Sequence, residues 1–131
     1  MSVTKTKPVD GGLSSWRPAA GSSVAPFEQL RLLIADLIGR GVLPVGSKLP
    51  TVRALASSSG LAVNTVARAF RELESAGVVH TLGRGGTVVA ASGDAIREQV
   101  AQAAAEFAAV VHGLGRPDAD ALAIAGAALR R

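Results

Sequence analysis

Cationic and hydrogen-bonding side chains cluster in three short stretches of the middle of this chain. Arginine and asparagine can bond base edges with two hydrogen bonds, whereas threonine, lysine and backbone amides bind phosphate oxygens. Glycine allows a backbone to approach such a ligand closely. These residue types therefore favour contact with a phosphodiester polyanion, and the candidate contact residues are Lys48, Thr51, Arg53, Asn64, Thr65, Arg68, Arg84, Gly85, Gly86 and Thr87.

The distribution of charge agrees with this interpretation. Residues 26–91 contain seven basic and four acidic side chains, whereas residues 92–131 contain four basic and five acidic ones. A basic middle segment indicates a polyanionic partner such as nucleic acid. A solvated basic face with no partner would show the same charge pattern, so charge alone does not decide between the two.

Other classes of site find little support. The chain has no cysteine, which excludes disulfides and thiolate metal ligands and fits a reducing cytoplasm. His80 and His112 lie on separate predicted elements, and no paired carboxylates suggest an acid–base pair. The glycines at 83–86 open no helix, so they are not a nucleotide-binding loop. No signal peptide or membrane span is found. We expect a cytoplasmic protein that is not an enzyme and needs no metal or cofactor.

Apolar periodicity predicts three helices in the middle of the chain. The first begins at Pro26 and stops at Gly41, the second runs from Pro50 to Gly60, and the third covers about 63–76. Glycines at the helix ends suit the left-handed conformation that often terminates a helix. Between the first two helices, residues 42–49 are predicted to form a turn and a short extended piece.

The remaining segments are predicted from β-branched runs and small residues. Residues 78–82 and 87–91 form a hairpin around the glycine loop. A helix capped by Asp94 then runs to His112, and another begins at Pro117. Residues 1–25 are predicted to be a flexible tail, in which Trp16 is either a buried anchor or a solvated side chain.

This order of elements predicts an α+β fold, a winged helix-turn-helix made of three helices plus a β-hairpin wing over 26–91. In that fold the third helix enters the major groove of DNA and the hairpin lies along the backbone. Asn64 can bond adenine or cap the helix, and Thr65 can bind a phosphate. Arg84, set between glycines, suits a narrow minor groove.

Three stretches resemble the GntR family of regulators, and in particular its YtrA-like subgroup. They read GVLPVGSKLPTVRALA at 41–56, NTVARAFRELESAG at 64–77 and GRGGTVV at 83–89. The resemblance implies that Arg53 contacts DNA, that Thr65 binds phosphate, that Asn64 and Arg68 lie near the groove and that the wing tip contains Gly86 and Thr87. It also implies repression. Ser59, Ala62 and Val63 depart from the family pattern, which leaves the operator sequence open.

Residues 92–131 are predicted to be a short helical segment that pairs two copies of the chain, as the resemblance also implies. One recognition helix reads too few base pairs for specificity, so a homodimer on a palindromic DNA operator is expected. The alternative is a winged helix that binds only protein. Neither an effector nor the regulated genes can be read from the sequence. The predicted dimerisation residues are Ile96, Val100, Phe107, Val110, Val111, Leu122 and Leu129.

Overall fold

A computed structural model describes residues 10–131, and this part of the chain divides after Ile96 into two compact units. The sequence placed the boundary between residues 91 and 92 instead. The first unit contains α1, α2, α3 and the hairpin β1–β2, whereas most of α4 and all of α5 lie in the second. The bounds are α1 Pro26–Gly39, α2 Val52–Ser59, α3 Val63–Ser75, β1 Val79–Thr81, β2 Thr87–Val89, α4 Gly93–Gly113 and α5 Asp118–Leu129.

The core of the first unit lies between α1 and α3. On α1, Leu30, Ile34 and Leu37 are spaced by four and three residues, so they share one face of the helix, and all three are buried. The facing stripe of α3 includes Val66 and Leu73, which are also buried. Pro26 occupies the first helical position of α1, where its missing N–H leaves no hydrogen bond unmade. The predicted three-helix arrangement is confirmed.

A tight turn joins α2 to α3. Thr51 caps α2 by accepting a hydrogen bond from the Ala54 N–H at 3.0 Å, so the helix begins two residues after Pro50. Gly60 ends it with a φ of +79°, a conformation that costs glycine no steric strain. Ser59 is buried, and its hydroxyl accepts a hydrogen bond from the Leu61 N–H at 3.3 Å. The polar side chain at this position is therefore satisfied inside the turn.

The hairpin is extended by a third piece of chain. In β1–β2, Val79 pairs with Val89 and Thr81 with Thr87, so the strands are shorter than predicted. Residues 46–49 run along the other edge of β2, where the Leu49 N–H donates to the Thr87 carbonyl at 2.8 Å. The predicted short extended piece before α2 thus forms part of the wing.

Part of the predicted N-terminal tail is packed against the domain. Residues 1–9 lie outside the described residues, but Leu13 is completely buried in the core and Trp16 packs against it. The Asp10 carboxylate accepts hydrogen bonds from the Gly12 and Ser14 N–H groups at 3.0 and 3.1 Å. The Ser14 hydroxyl also donates to Asp10 and lowers the pKa of that carboxyl. The flexible-tail prediction is therefore corrected for residues 10–16, because one buried leucine anchors a segment too short to show a periodic pattern.

The junction before α4 requires a residue without a side chain. Ser92 caps α4 by accepting from the Ala95 N–H at 3.0 Å, a role that the sequence analysis assigned to Asp94. A Cβ on Gly93 would lie 2.3 Å from the carbonyl oxygen of Gly39, well inside van der Waals contact. Only glycine fits here without a shift of backbone.

We therefore expect Gly93→Ala to lower the free energy of unfolding by about 1–3 kcal/mol, the usual cost of overpacking. Gly113→Ala is the matched control, since a Cβ on Gly113 meets nothing within 4 Å. That change should leave stability unchanged or raise it by up to about 1 kcal/mol, because alanine favours helix. Chemical denaturation of the two variants measures both values. Equal stabilities would refute the close contact at Gly93.

The second unit is a pair of helices joined by a glycine turn. Gly115 has a φ of +67°, and the Arg116 N–H donates to the Val111 carbonyl at 3.1 Å, which closes the end of α4. Val111 and Ala121 are buried in this unit. Among residues 10–131 there is no helix with the length and apolar content needed to cross a membrane.

Candidate nucleic-acid interface

The segment before α2 brings Lys48 next to the wing loop. Lys48 forms a bridge with Val88 of β2, and a Cβ on Gly86 would lie 3.3 Å from its Cε atom. The stem of Lys48 therefore runs along the loop at Gly86, and the residue as a whole is exposed. This pairing places Lys48, Gly86 and Thr87 together, just before the start of α2.

The first turn of α3 presents free donors to solvent. Ala62 is the N-cap and supplies no side-chain acceptor, so the amides of Val63 and Asn64 have no acceptor within the helix. Asn64 is exposed and Thr65 half-buried. Asn64 does not cap the helix, so of its two predicted roles only the contact with a base stays a prediction. Such a helix end attracts anions through its N–H groups and its dipole.

Arg68 contacts two neighbouring side chains and is not an unpaired cation. Its guanidinium lies 3.6 Å from the centroid of the Phe27 ring, and its Nε atom is 3.3 Å from the Glu72 carboxylate. Glu72 is also 3.7 Å from Arg31. The contact with Phe27 ties Arg68 to α1, and the predicted DNA contact of Arg68 stays a prediction.

Cations in residues 26–91 fall into two groups by their partners. Arg31, Arg40 and Arg68 each pair with a carboxylate. The others have no carboxylate within 4.0 Å among the described residues, and all of them are exposed: Lys48, Arg53, Arg71 and Arg84. A cation with no internal partner is free to neutralise an external anion.

Arg71 was not among the predicted contact residues. It follows Asn64 by seven residues, close to two helical turns, so both lie on the exposed face of α3. This spacing could have identified Arg71 as a candidate contact residue, because the buried stripe of α3 lies on the opposite side of the helix.

The wing tip is a glycine turn that projects one arginine. Gly83 and Gly86 have φ values of +61° and +83°, which few other residues adopt. The Leu82 N–H donates to the Gly86 carbonyl at 2.7 Å and closes the loop. Arg84 stands exposed on this closed turn, while Gly85 and Thr87 are half-buried beside it.

The second unit leaves much apolar surface exposed. Two of the predicted dimerisation residues are already packed within the chain: Ile96 against the core of the first unit and Val111 within the second unit. Two further apolar side chains, Leu114 and Ile124, are 72% and 55% exposed. Phe107, Val111 and Leu122 line a groove of about 220 Å³. The predicted residues that remain exposed are Val100, Phe107, Val110, Leu122 and Leu129.

Comparison with known proteins identifies a family and several relatives. The family described as "Bacterial regulatory proteins, gntR family" matches residues 26–89. The "HTH-type transcriptional regulator Rv1152" of Mycobacterium tuberculosis is 48% identical over 96 residues, which cover 73% of this chain and 78% of that protein. The "HTH-type transcriptional repressor YtrA" of Bacillus subtilis is 38% identical over 68 residues, 52% of each chain.

A solved structure of a protein bound to DNA is also similar. The DNA-binding domain of AraR in complex with operator ORE1 is 27% identical to this chain, with a TM-score of 0.51. The similarity covers 57% of this chain and 94% of that domain. The winged helix-turn-helix fold predicted from the sequence is thereby confirmed.

Proposed function

Because this chain belongs to the GntR family of bacterial regulatory proteins, we propose that it is a transcription regulator that binds a palindromic operator as a homodimer. The observation that carries the proposal is the set of exposed, unpaired donors and cations on the turn before α2, the start of α3 and the wing. Those are the elements that contact DNA in a winged helix-turn-helix. The similar AraR domain bound to its operator supports the same role.

In the proposed complex, α3 lies in the major groove with its first turn toward the bases. Asn64 bonds a base edge, and the Val63 and Asn64 amides together with Thr65 bind a phosphate. Arg53, at the start of α2, contacts a base. The wing follows the backbone, where Lys48 and Thr87 bind phosphate and Arg84 enters the minor groove.

The second unit supplies the dimer interface. Val100 is 66% exposed, Val110 is 59% exposed and Leu122 is 73% exposed, so a single copy leaves these side chains in water. A second copy packed against them would remove this apolar surface from solvent, which stabilises association. Two paired copies then place two α3 helices about one turn of DNA apart. A dimer bound across a promoter blocks transcription, and the relative from B. subtilis is named a repressor. Such a regulator acts in the cytoplasm, where the bacterial chromosome lies.

The proposal is tested by selection from a random pool of DNA duplexes with the full-length protein. We expect enrichment of an inverted repeat whose two halves are protected in a footprint, and we call this enriched sequence the selected duplex. If no sequence is enriched, the result would contradict the proposal and would favour a winged helix that binds only protein.

Arg84→Ala is expected to weaken binding about tenfold when the selected duplex has A·T-rich flanks, and only a few-fold when the flanks are G·C-rich. A narrow A·T minor groove has a stronger negative potential, which an inserted arginine exploits. Arg40→Ala is the matched control, since Arg40 is paired with Asp36 on α1 at 2.9 Å. Gel-shift titration of both variants on both duplexes measures the difference. A loss that is independent of flank composition would argue against insertion into the minor groove.

A further inference from the structure

The packed N-terminal segment, residues 10–17, extends the proposed interface beyond the part of the chain that matches the family. We propose that Arg17 is an additional phosphate contact, held by this segment at the turn between α2 and α3. The proposal rests on the DNA-binding function proposed above. It adds a binding residue that lies outside residues 26–89.

Two features fix the segment on the first unit. Leu13 is completely buried and joins the same core cluster as Leu55 of α2, and Trp16 packs against that cluster. The Asp10 carboxylate accepts hydrogen bonds from the N–H groups of Gly12 and Ser14, which links it to the start of the single helical turn at 13–15. The residue before Arg17 is therefore anchored, and little chain entropy remains to be lost when Arg17 binds a ligand.

Arg17 lies directly at the turn. Its Nη1 atom is 3.2 Å from the position that a Cβ on Gly60 would occupy, so the guanidinium covers the face of that glycine. Gly60 precedes the first residue of α3 by three residues, a span of at most about 11 Å. Arg17 therefore lies at the turn that leads into the first turn of α3, the helix that is proposed to face DNA.

The charge of Arg17 has no counterpart within the described chain. None of the carboxylates in residues 10–131 pairs with it, and the residue is exposed. An exposed guanidinium with no internal partner is free to bond a DNA phosphate that passes the turn between α2 and α3.

Arg17→Gln in the full-length protein tests the proposal, because glutamine keeps much of the length of the side chain and removes its charge. Affinity is measured on the selected duplex and on an unrelated 25-bp duplex at several salt concentrations. We expect a loss of about threefold to tenfold on both duplexes, and the slope of log affinity against log salt should become shallower by about 0.9. Arg17→Lys should retain the slope.

Arg40→Gln is the matched control, since it removes the same charge from an exposed site on α1. Trp16, the single tryptophan, reports on the segment: unchanged emission in Arg17→Gln shows that it remains packed. Equal affinities and slopes for Arg17→Gln and Arg40→Gln would overturn the proposal, as would a loss confined to the selected duplex. If the unmodified protein binds neither duplex, the DNA-binding function itself fails; if it binds and Arg17→Gln has no effect, only the contact at Arg17 fails.

Discussion

Removal of residues 97–131 is expected to reduce affinity for the selected duplex about 100-fold to 10,000-fold and to leave a folded monomer. Linking two binding modules raises the overall affinity by this factor without any new contact to the ligand. The truncated protein keeps Ile96, which packs against the core of the first unit, and all of that core. Sedimentation and gel-shift titration measure the two effects.

A point variant distinguishes the effect of losing the dimer from the effect of removing residues 97–131. Val100→Asp should give the same monomer and the same loss of affinity, because Val100 is 66% exposed in a single copy and is proposed to be covered by the partner. Gln102→Asp is the control, as Gln102 is exposed and lies about 200° around α4 from Val100. A truncated protein that still dimerises, or one that binds as tightly as the full chain, would contradict the proposed role of the second unit.

Arg53→Ala is expected to weaken binding to the selected duplex by about 1–3 kcal/mol, the range for one arginine that bonds a base with two hydrogen bonds. Arg53 is exposed at the second residue of α2 and has no carboxylate partner within residues 10–131, so its removal breaks no ion pair in the free protein. The free energy of unfolding should therefore stay unchanged. Affinity is measured on the selected duplex and on single-base variants of it.

The pattern across the base variants decides what Arg53 contacts. If it reads a base, the cost of Arg53→Ala should vanish on the duplex in which that base pair is changed. Arg40→Ala, which removes an arginine paired at the surface of α1, should cost less than about 0.5 kcal/mol. An equal loss on every sequence would assign Arg53 to a phosphate, and no loss at all would place it outside the interface.

Local signals predicted most of the first unit. The apolar stripes of α1 and α3 recur at helical spacing, and Gly60 adopts the positive φ that its place at the end of α2 required. The hairpin followed from β-branched runs on either side of a glycine loop. Each of these features depends on residues that are close together in the chain. Such features can therefore be predicted from one sequence.

Features that depend on tertiary contacts were missed. Leu13 has one large apolar neighbour in its segment, Trp16, and two residues are too few to show a periodic pattern, so nothing local indicated that Leu13 joins the core. The contact of the Arg68 guanidinium with the Phe27 ring of α1 was not expected either, and the DNA contact of Arg68 stays a prediction. Ile96 and Val111 fitted the apolar stripe of α4, yet each packs within one chain. These outcomes depend on which helices and segments pack against each other. The spacing of residues along the chain does not predict such packing.

Affinity of the full-length protein for the selected duplex and for a scrambled duplex of the same composition, measured across a range of salt, tests DNA recognition most directly. If exposed cations neutralise phosphates and α3 reads bases, log affinity should fall linearly with log salt, by about 0.9 for each phosphate neutralised. At physiological salt the selected duplex should be preferred by about 1,000-fold or more. A flat response to salt, or equal affinity for the two duplexes, would contradict the proposal that this chain is a sequence-specific DNA-binding regulator.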